Sequence, residues 1–279
     1  MQIPFECGAL TMENLKTNFD YSVLDRPEIL RFLFHPRAES DFISRERVGL
    51  DISIPVGTDV SIGACFHMTA KIAPNLLFFH GNGEIVADYD ELGPVYNQLG
   101  INFLPVDYRG YGRSDGEPTV TAMMQDCHVI FKFVKTWLDQ QEYTGPLVVM
   151  GRSLGSASAL ELVSTHEVDI DALIIESGFA LASPLLHLLG IDTKNIGFKE
   201  EQGFRNVDKI KKYNKPTLII HAEFDHVIPY SEGQSLFDAS SAGNKKLLQI
   251  PGANHNDIFA RGLSAYLTSI ETMVKALPA

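Results

Sequence analysis

Leu147-Val148-Val149-Met150-Gly151-Arg152-Ser153-Leu154-Gly155-Ser156 is the stretch that decides the fold. Four apolar residues run into Gly-Arg-Ser-Leu-Gly, and the small-residue run Ser156-Ala157-Ser158-Ala159-Leu160 follows. In order, these read as a buried strand, a sharp turn and a helix. The turn fits the G-x-S-x-G nucleophile elbow, in which a serine sits on strained backbone above the end of a strand. A side chain at Gly151 or Gly155 would crowd the strand and helix where they cross.

Similar runs lie on both sides of this stretch. Asn75-Leu76-Leu77-Phe78-Phe79, Ala172-Leu173-Ile174-Ile175 and Thr217-Leu218-Ile219-Ile220 are continuously apolar, as strands buried on both faces should be. Ile101-Asn102-Phe103-Leu104-Pro105-Val106 is a less pure example, and Lys246-Leu247-Leu248-Gln249-Ile250 predicts a last strand nearer an edge. Upstream, Val48-Gly49-Leu50-Asp51-Ile52-Ser53-Ile54 and Val60-Ser61-Ile62-Gly63-Ala64-Cys65-Phe66 alternate apolar with polar. With a turn at Pro55-Val56-Gly57-Thr58 between them, they predict an antiparallel hairpin with one wet face.

Helical spacing falls between the strands. Met123, Cys127, Ile130, Val134 and Trp137 mark one face of a helix over about residues 121–140. A shorter helix follows Ser153, and another is predicted over 257–275. The alternation predicts an α/β fold with a mostly parallel sheet covered by helices on both faces. Residues 45–279 read as one domain. Residues 1–44 read as an extension packed on it or lying near the site entrance, with a helix over 22–34 interrupted early by Pro27. Residues 178–216 show no strand and predict a small cap. Its apolar fragment Leu185-Leu186-His187-Leu188-Leu189 either contacts an acyl chain or packs on the core.

Composition narrows the function. The 279 residues carry a net charge of −12, which argues against a nucleic-acid partner. The spacing of Cys7, Cys65 and Cys127 is that of neither a disulfide framework nor a zinc site, so reduced thiols are expected. No apolar run approaches the ~20 residues that a membrane span needs. The start of the chain has no basic and apolar leader pattern, so the expected location is cytoplasmic.

In an open α/β sheet, chemistry collects at the carboxyl ends of the strands. His80-Gly81-Asn82-Gly83-Glu84 follows Phe79, and Asp107-Tyr108-Arg109-Gly110-Tyr111-Gly112-Arg113-Ser114 follows Val106. The elbow follows Met150, His221-Ala222-Glu223-Phe224-Asp225-His226 follows Ile220, and Pro251-Gly252-Ala253-Asn254-His255 follows Ile250. A serine hydroxyl needs a base to take its proton, and the base needs an orienting carboxylate. Ser153, Asp225 and His255 fill these roles, with Glu223 as second choice for the acid. Oxyanion donors are expected at the Leu154 and Asn82 N–H groups. Asp107, Arg109 and Arg113 read as loop-pinning groups. Arg152 either touches substrate or buttresses the elbow. Glu84 either binds a substrate cation or serves as a helix N-terminal acid.

Taken together, the His-Gly-Asn-Gly, Asp-Tyr-Arg-Gly-Tyr-Gly-Arg-Ser, Gly-Arg-Ser-Leu-Gly and Gly-Ala-Asn-His turns and the Asp225 turn resemble the α/β-hydrolase superfamily. Within it they are similar to the Bem46-like serine hydrolases, the branch that includes acyl-protein thioesterases. The resemblance spans residues 48–279. It implies an eight-stranded sheet whose second strand is antiparallel, with Ser153 as nucleophile, Asp225 as acid, His255 as base, and Asn82 and Leu154 as oxyanion donors. The expected activity is hydrolysis of an ester or thioester of a small-molecule or acyl-bearing substrate, with no metal or organic cofactor. The rivals are a serine peptidase or aminopeptidase of the same fold and a non-catalytic binding protein. A dehalogenase is disfavoured, since that chemistry needs a carboxylate where Ser153 stands.

Overall fold

The computed structural model describes residues 19–40 and 49–278. Val48, Cys7 and the remainder of the predicted N-terminal extension lie outside the described residues. The strands are β1 (Leu50–Gly57), β2 (Val60–Phe66), β3 (Asn75–Phe79), β4 (Asn102–Val106), β5 (Leu147–Arg152), β6 (Ala172–Glu176), β7 (Thr217–Ala222) and β8 (Lys245–Ile250). The helices are α1 (Pro27–Leu33), α2 (Leu92–Gln98), α3 (Val120–Gln140), α4 (Gly155–Thr165), α5 (Ala182–Leu188), α6 (Asn206–Ile210), α7 (Tyr230–Ala239) and α8 (Ile258–Lys275).

The eight strands form one sheet in the order β1-β2-β4-β3-β5-β6-β7-β8. β2 is antiparallel to both of its neighbours, and β3 to β8 run parallel. Both faces of the central strands are buried, which explains their continuous apolar runs. Leu77, Phe79, Val149 and Ile175 pack on the face covered by α3 and α4. Leu76, Phe78, Met150 and Ile174 pack on the other face with Tyr96 of α2 and Tyr266 and Ile270 of α8. The parallel register is level: Phe79 pairs with both Val106 and Gly151, Arg152 with Glu176, and Ala222 with Ile250. The turns after these strands therefore emerge along one edge of the sheet. Among the described residues, no helix is long and apolar enough to cross a membrane.

Two boundaries differ from the sequence reading, and two helices are additional to it. β1 runs on through Pro55 to Gly57, leaving a tight turn at Thr58 and Asp59, where Asp59 takes a φ of 56°. Proline is tolerated because β1 is an edge strand and its register shifts between Pro55 and Gly57. The predicted 22–34 helix divides into a 3-10 turn, Ser22–Asp25, and α1, because Arg26 is extended and Pro27 starts the second piece. Helices α2 and α7 have too few apolar positions for their spacing to announce them.

The N-terminal segment is anchored by a buried polar cluster. Tyr21 donates to Glu161 Oε2 of α4 at 2.7 Å, and Lys209 Nζ of α6 lies 2.8 Å from the same oxygen. Burial pushes the Glu161 carboxyl up, but Lys209, His128 and Tyr21 outweigh it and hold it at about 2. Removing one partner of such a pair leaves a buried charge uncompensated. Lys209→Met should therefore cost about 3–5 kcal/mol in urea unfolding. Glu161→Gln added to it should recover part of that loss.

Candidate active site

β5 ends at Arg152, and α4 begins at Gly155. Ser153 between them has a φ of 50°, a left-handed backbone that a non-glycine residue holds only under constraint. The constraint is visible: Ser153 N–H donates to the Glu176 carbonyl at 2.8 Å, and its carbonyl accepts from both Ser156 N–H and Oγ. A Cβ on Gly151 would lie 2.3 Å from the Gly155 carbonyl oxygen, and one on Gly155 would lie 2.2 Å from that of Phe79. The crowding read from the sequence is thus literal at both glycines.

Ser153, His255 and Asp225 come together at this edge of the sheet. Ser153 Oγ stands 3.1 Å from His255 Nε2, and His255 Nδ1 stands 2.7 Å from Asp225 Oδ2. With a carboxylate facing Nδ1, that nitrogen carries the proton and Nε2 presents its lone pair to the serine. Asp225 Oδ1 accepts from Val227 N–H at 3.0 Å and Ile228 N–H at 2.7 Å. Burial raises the Asp225 carboxyl, but His255 and the Ile228 N–H bring it below its ordinary value. All three residues are nearly closed to solvent. Glu223, the second choice for the acid, does not reach His255. It accepts from Gly252 N–H at 2.7 Å and so ties down the turn that carries the histidine.

Leu154 directly precedes α4, and its N–H belongs to the unsatisfied first turn of that helix. Asn82 sits in the turn after β3, between Gly81 and Gly83, and Gly83 has a φ of 75°. The Asn82 side chain points into the N-terminal segment: its Oδ1 accepts from His35 N–H at 2.8 Å and from the Tyr111 hydroxyl at 2.7 Å.

Arg152 buttresses the elbow. Its guanidinium donates to Glu84 at 2.8 Å, to Glu176 and to the carbonyl of His255 at 3.0 Å. Glu84 also accepts from Gly81 N–H and from the Tyr89 hydroxyl, each at 2.6 Å. It is therefore neither a free cation site nor a helix cap. The loop-pinning readings hold as well. Asp107 accepts from Val86 N–H, Arg109 makes a two-pronged bond to Asp126, and Arg113 pairs with Asp51. His221, deeply buried, contacts the Ile228 carbonyl beneath the Asp225 turn.

A cavity of about 320 Å³ opens beside that turn. α5 and Phe179 form one wall, and residues 226–229 form the other. In the apolar fragment 185–189, Leu185 and Leu188 line the cavity, while Leu186 is wholly buried in the core. The one carboxylate in the lining, Glu232, accepts from Ala180 and Leu181 N–H groups at 2.8 and 3.0 Å.

Comparison with known proteins agrees with this architecture. A family model described as serine aminopeptidase, S33, matches residues 70–190. Alpha/beta hydrolase domain-containing protein 17B of Homo sapiens is 29% identical over 248 residues, covering 85% of this chain and 80% of the relative. The 17C protein of Mus musculus is 28% identical over 234 residues, covering 80% and 67%. Among solved structures, the Pyrococcus furiosus esterase Pf2001 superposes with a TM-score of 0.69 at 17% identity, over 88% of this chain and 99% of its own. A soluble variant of monoglyceride lipase from Saccharomyces cerevisiae gives 0.62 at 17%, over 83% and 97%. The solved structures show that the chain has the α/β-hydrolase fold.

The network around Arg152 gives the site an acid limit. Burial pushes Glu84 up, but Arg152 and Tyr89 more than offset this and hold it at about 2, against an ordinary 4.5. The unfolded chain therefore takes up this proton first as pH falls. Stability linked to Glu84 is complete above pH 4.5 and is lost as pH drops toward 2. The contribution is on the order of 3 kcal/mol. Urea unfolding of Glu84→Gln should show lower stability at pH 7 and a flatter pH dependence over this window than the wild type.

Proposed function

We propose that this enzyme is a serine hydrolase that cleaves a carboxylic ester or thioester through a covalent acyl-enzyme. The observation that carries the reading is the unbroken line from Ser153 Oγ through His255 to Asp225, set on a left-handed elbow. His255 takes the Ser153 proton as Oγ attacks the acyl carbon, then gives it to the departing alkoxide or thiolate. In the second half it deprotonates a water that releases the acid and restores the serine. Asp225 holds the imidazole tautomer and stabilises the imidazolium. The Leu154 and Asn82 N–H groups receive the oxyanion of each tetrahedral intermediate. Nothing in this scheme calls for a metal or organic cofactor.

The substrate is a small molecule or an acyl-bearing one, and the cavity beneath α5 takes its acyl chain. The apolar walls at Phe179, Leu185, Leu188 and Ile228 support this assignment. In this reading residues 45–279 are a single catalytic domain with 178–216 as its cap, and the described part of the N-terminal extension, residues 19–40, packs on it. The buried free thiol of Cys127 fits a reducing compartment, and we place the protein in the cytoplasm. The charge of −12 supports a substrate other than nucleic acid.

The aminopeptidase reading draws on the description of the matching family model. Holding a peptide's amine calls for an available carboxylate near the acyl site. Glu232 is engaged by two backbone amides, and Glu84 is locked to Arg152, so the ester reading is the stronger.

A fluorophosphonate should give a single adduct at Ser153. Ser153→Ala should remain folded and lose on the order of 10⁵-fold or more in turnover of p-nitrophenyl esters. Full turnover in that variant would overturn the mechanism, and preferential cleavage of peptide amides would favour the aminopeptidase. Across esters from acetate to palmitate, Leu185→Trp should move the optimum toward shorter acyl chains by filling the cavity. An unchanged chain-length profile would place the acyl chain elsewhere.

A further inference from the structure

Asn82 lies in a Gly-Asn-Gly turn, and the peptide that carries its N–H is held on one side, where the Gly81 carbonyl lies 2.8 Å from His80 Nδ1 and accepts from Glu84 N–H at 3.3 Å. Gly81 and Gly83 leave that backbone freer than any other residues would. Preorganisation of an oxyanion donor requires that the peptide not reorient during reaction. Further holding groups, on the Asn82 side chain, come from elsewhere in the chain. His35 N–H donates to Asn82 Oδ1 at 2.8 Å and to the Tyr111 hydroxyl oxygen at 2.9 Å, and Tyr111 donates to the same Asn82 oxygen at 2.7 Å. Asn82 Nδ2 stands 2.8 Å from His35 Nδ1. Two donors on Oδ1 fix the orientation of the carboxamide, so Nδ2 is the donor in the fourth contact. His35 Nδ1 must then offer a lone pair, and its proton sits on Nε2. Arg37 donates to the Gly83 carbonyl at 2.8 Å and pairs with Asp88.

We propose that His35 and Tyr111 are positioning residues for the reaction, clamping the Asn82 side chain so that its backbone N–H stays aimed at the oxyanion. The segment 19–40 is then part of the active-site machinery. It is well secured for this: Tyr21 is bonded to Glu161, Asp25 accepts from Thr121 N–H at the start of α3, and Ala38 bridges to Gly112 beside Tyr111. The proposal rests on the serine-hydrolase reading and on Asn82 N–H as its second donor. It goes beyond that reading by assigning the lever that orients the donor.

The donor is a backbone group, so Asn82→Ala keeps it and removes only the lever. His35→Leu keeps the branching of the side chain without an acceptor. His35→Asn places Oδ1 where His35 Nδ1 stands and restores an acceptor. With full-length protein and the p-nitrophenyl ester that the wild type turns over fastest, His35→Leu, Tyr111→Phe and Asn82→Ala should each lower kcat roughly five- to tenfold, the equivalent of one hydrogen bond. KM should stay unchanged, as for an interaction made in the transition state. His35→Asn should recover most of the rate, and Asn82→Ala with His35→Leu should be no slower than Asn82→Ala alone. Thermal melting and fluorophosphonate labelling confirm that each variant is folded. A wild-type kcat in His35→Leu, or an undiminished effect of His35→Leu on the Asn82→Ala background, would overturn the clamp alone. A wild type with neither turnover nor a Ser153 adduct would instead overturn the hydrolase reading on which it rests.

Discussion

The Arg152 guanidinium is the contact on which the geometry of this site depends. It is a charge removed from water, and its desolvation is repaid only when geometry and counter-charges are good. Burial alone would lower its proton affinity, but Glu176 and Glu84 drive that affinity well above the ordinary arginine value. The two carboxylates are in turn satisfied by Tyr266, Tyr89 and Gly81 N–H. One planar side chain thereby fixes four places relative to one another: the elbow, the turn after β3, the end of β6 and the carbonyl of His255. A lysine would keep the charge and lose the planar fork that reaches them together.

The sheet provides the coarse alignment on which this network acts. Level pairing along β3 to β8 brings six turns to one edge, and two apolar clusters hold the strands from both faces. Such packing resists displacement, but it does not orient a peptide plane or choose a histidine tautomer. Hydrogen bonds with directional requirements do that. The left-handed Ser153 shows the division of labour. Its backbone is costly, and it persists because Glu176 and Ser156 hold both ends of the residue while glycines on either side let helix and strand cross.

The parts of the molecule legible in the sequence are those whose information is local. A run such as Leu147 to Met150 states its own burial, and the turn that follows states where the chain must bend. The order of Ser153, Asp225 and His255, each just after a strand, was readable because the sheet converts sequence position into spatial position. Arg152 stayed ambiguous between substrate contact and buttress, because its partners lie 68, 24 and 103 residues away. Glu84 was opaque for the same reason. Its neighbours in sequence suggest a cap, and only the fold brings Arg152 to it. The end of β1 was misplaced because Pro55 looks like a turn residue until the strand is known to lie at an edge.

Least legible were residues 19–40 and residues 178–216, and these two meet: Arg26 donates to the Ile196 carbonyl at 3.0 Å. Neither carries strand-like or long helical periodicity, since each buries its few apolar residues against a surface made by the rest of the chain. Leu24, Ile29 and Leu33 do so for the first, and Leu186 and Phe204 for the second. That separation has a physical basis. The reacting groups must be held to within a fraction of an ångström, so they sit on strand ends where local pattern and global fold agree. The segments that shape the space above them answer to whatever enters that space. They can vary without disturbing the sheet, and their pattern therefore reflects contacts made at a distance rather than a period of their own.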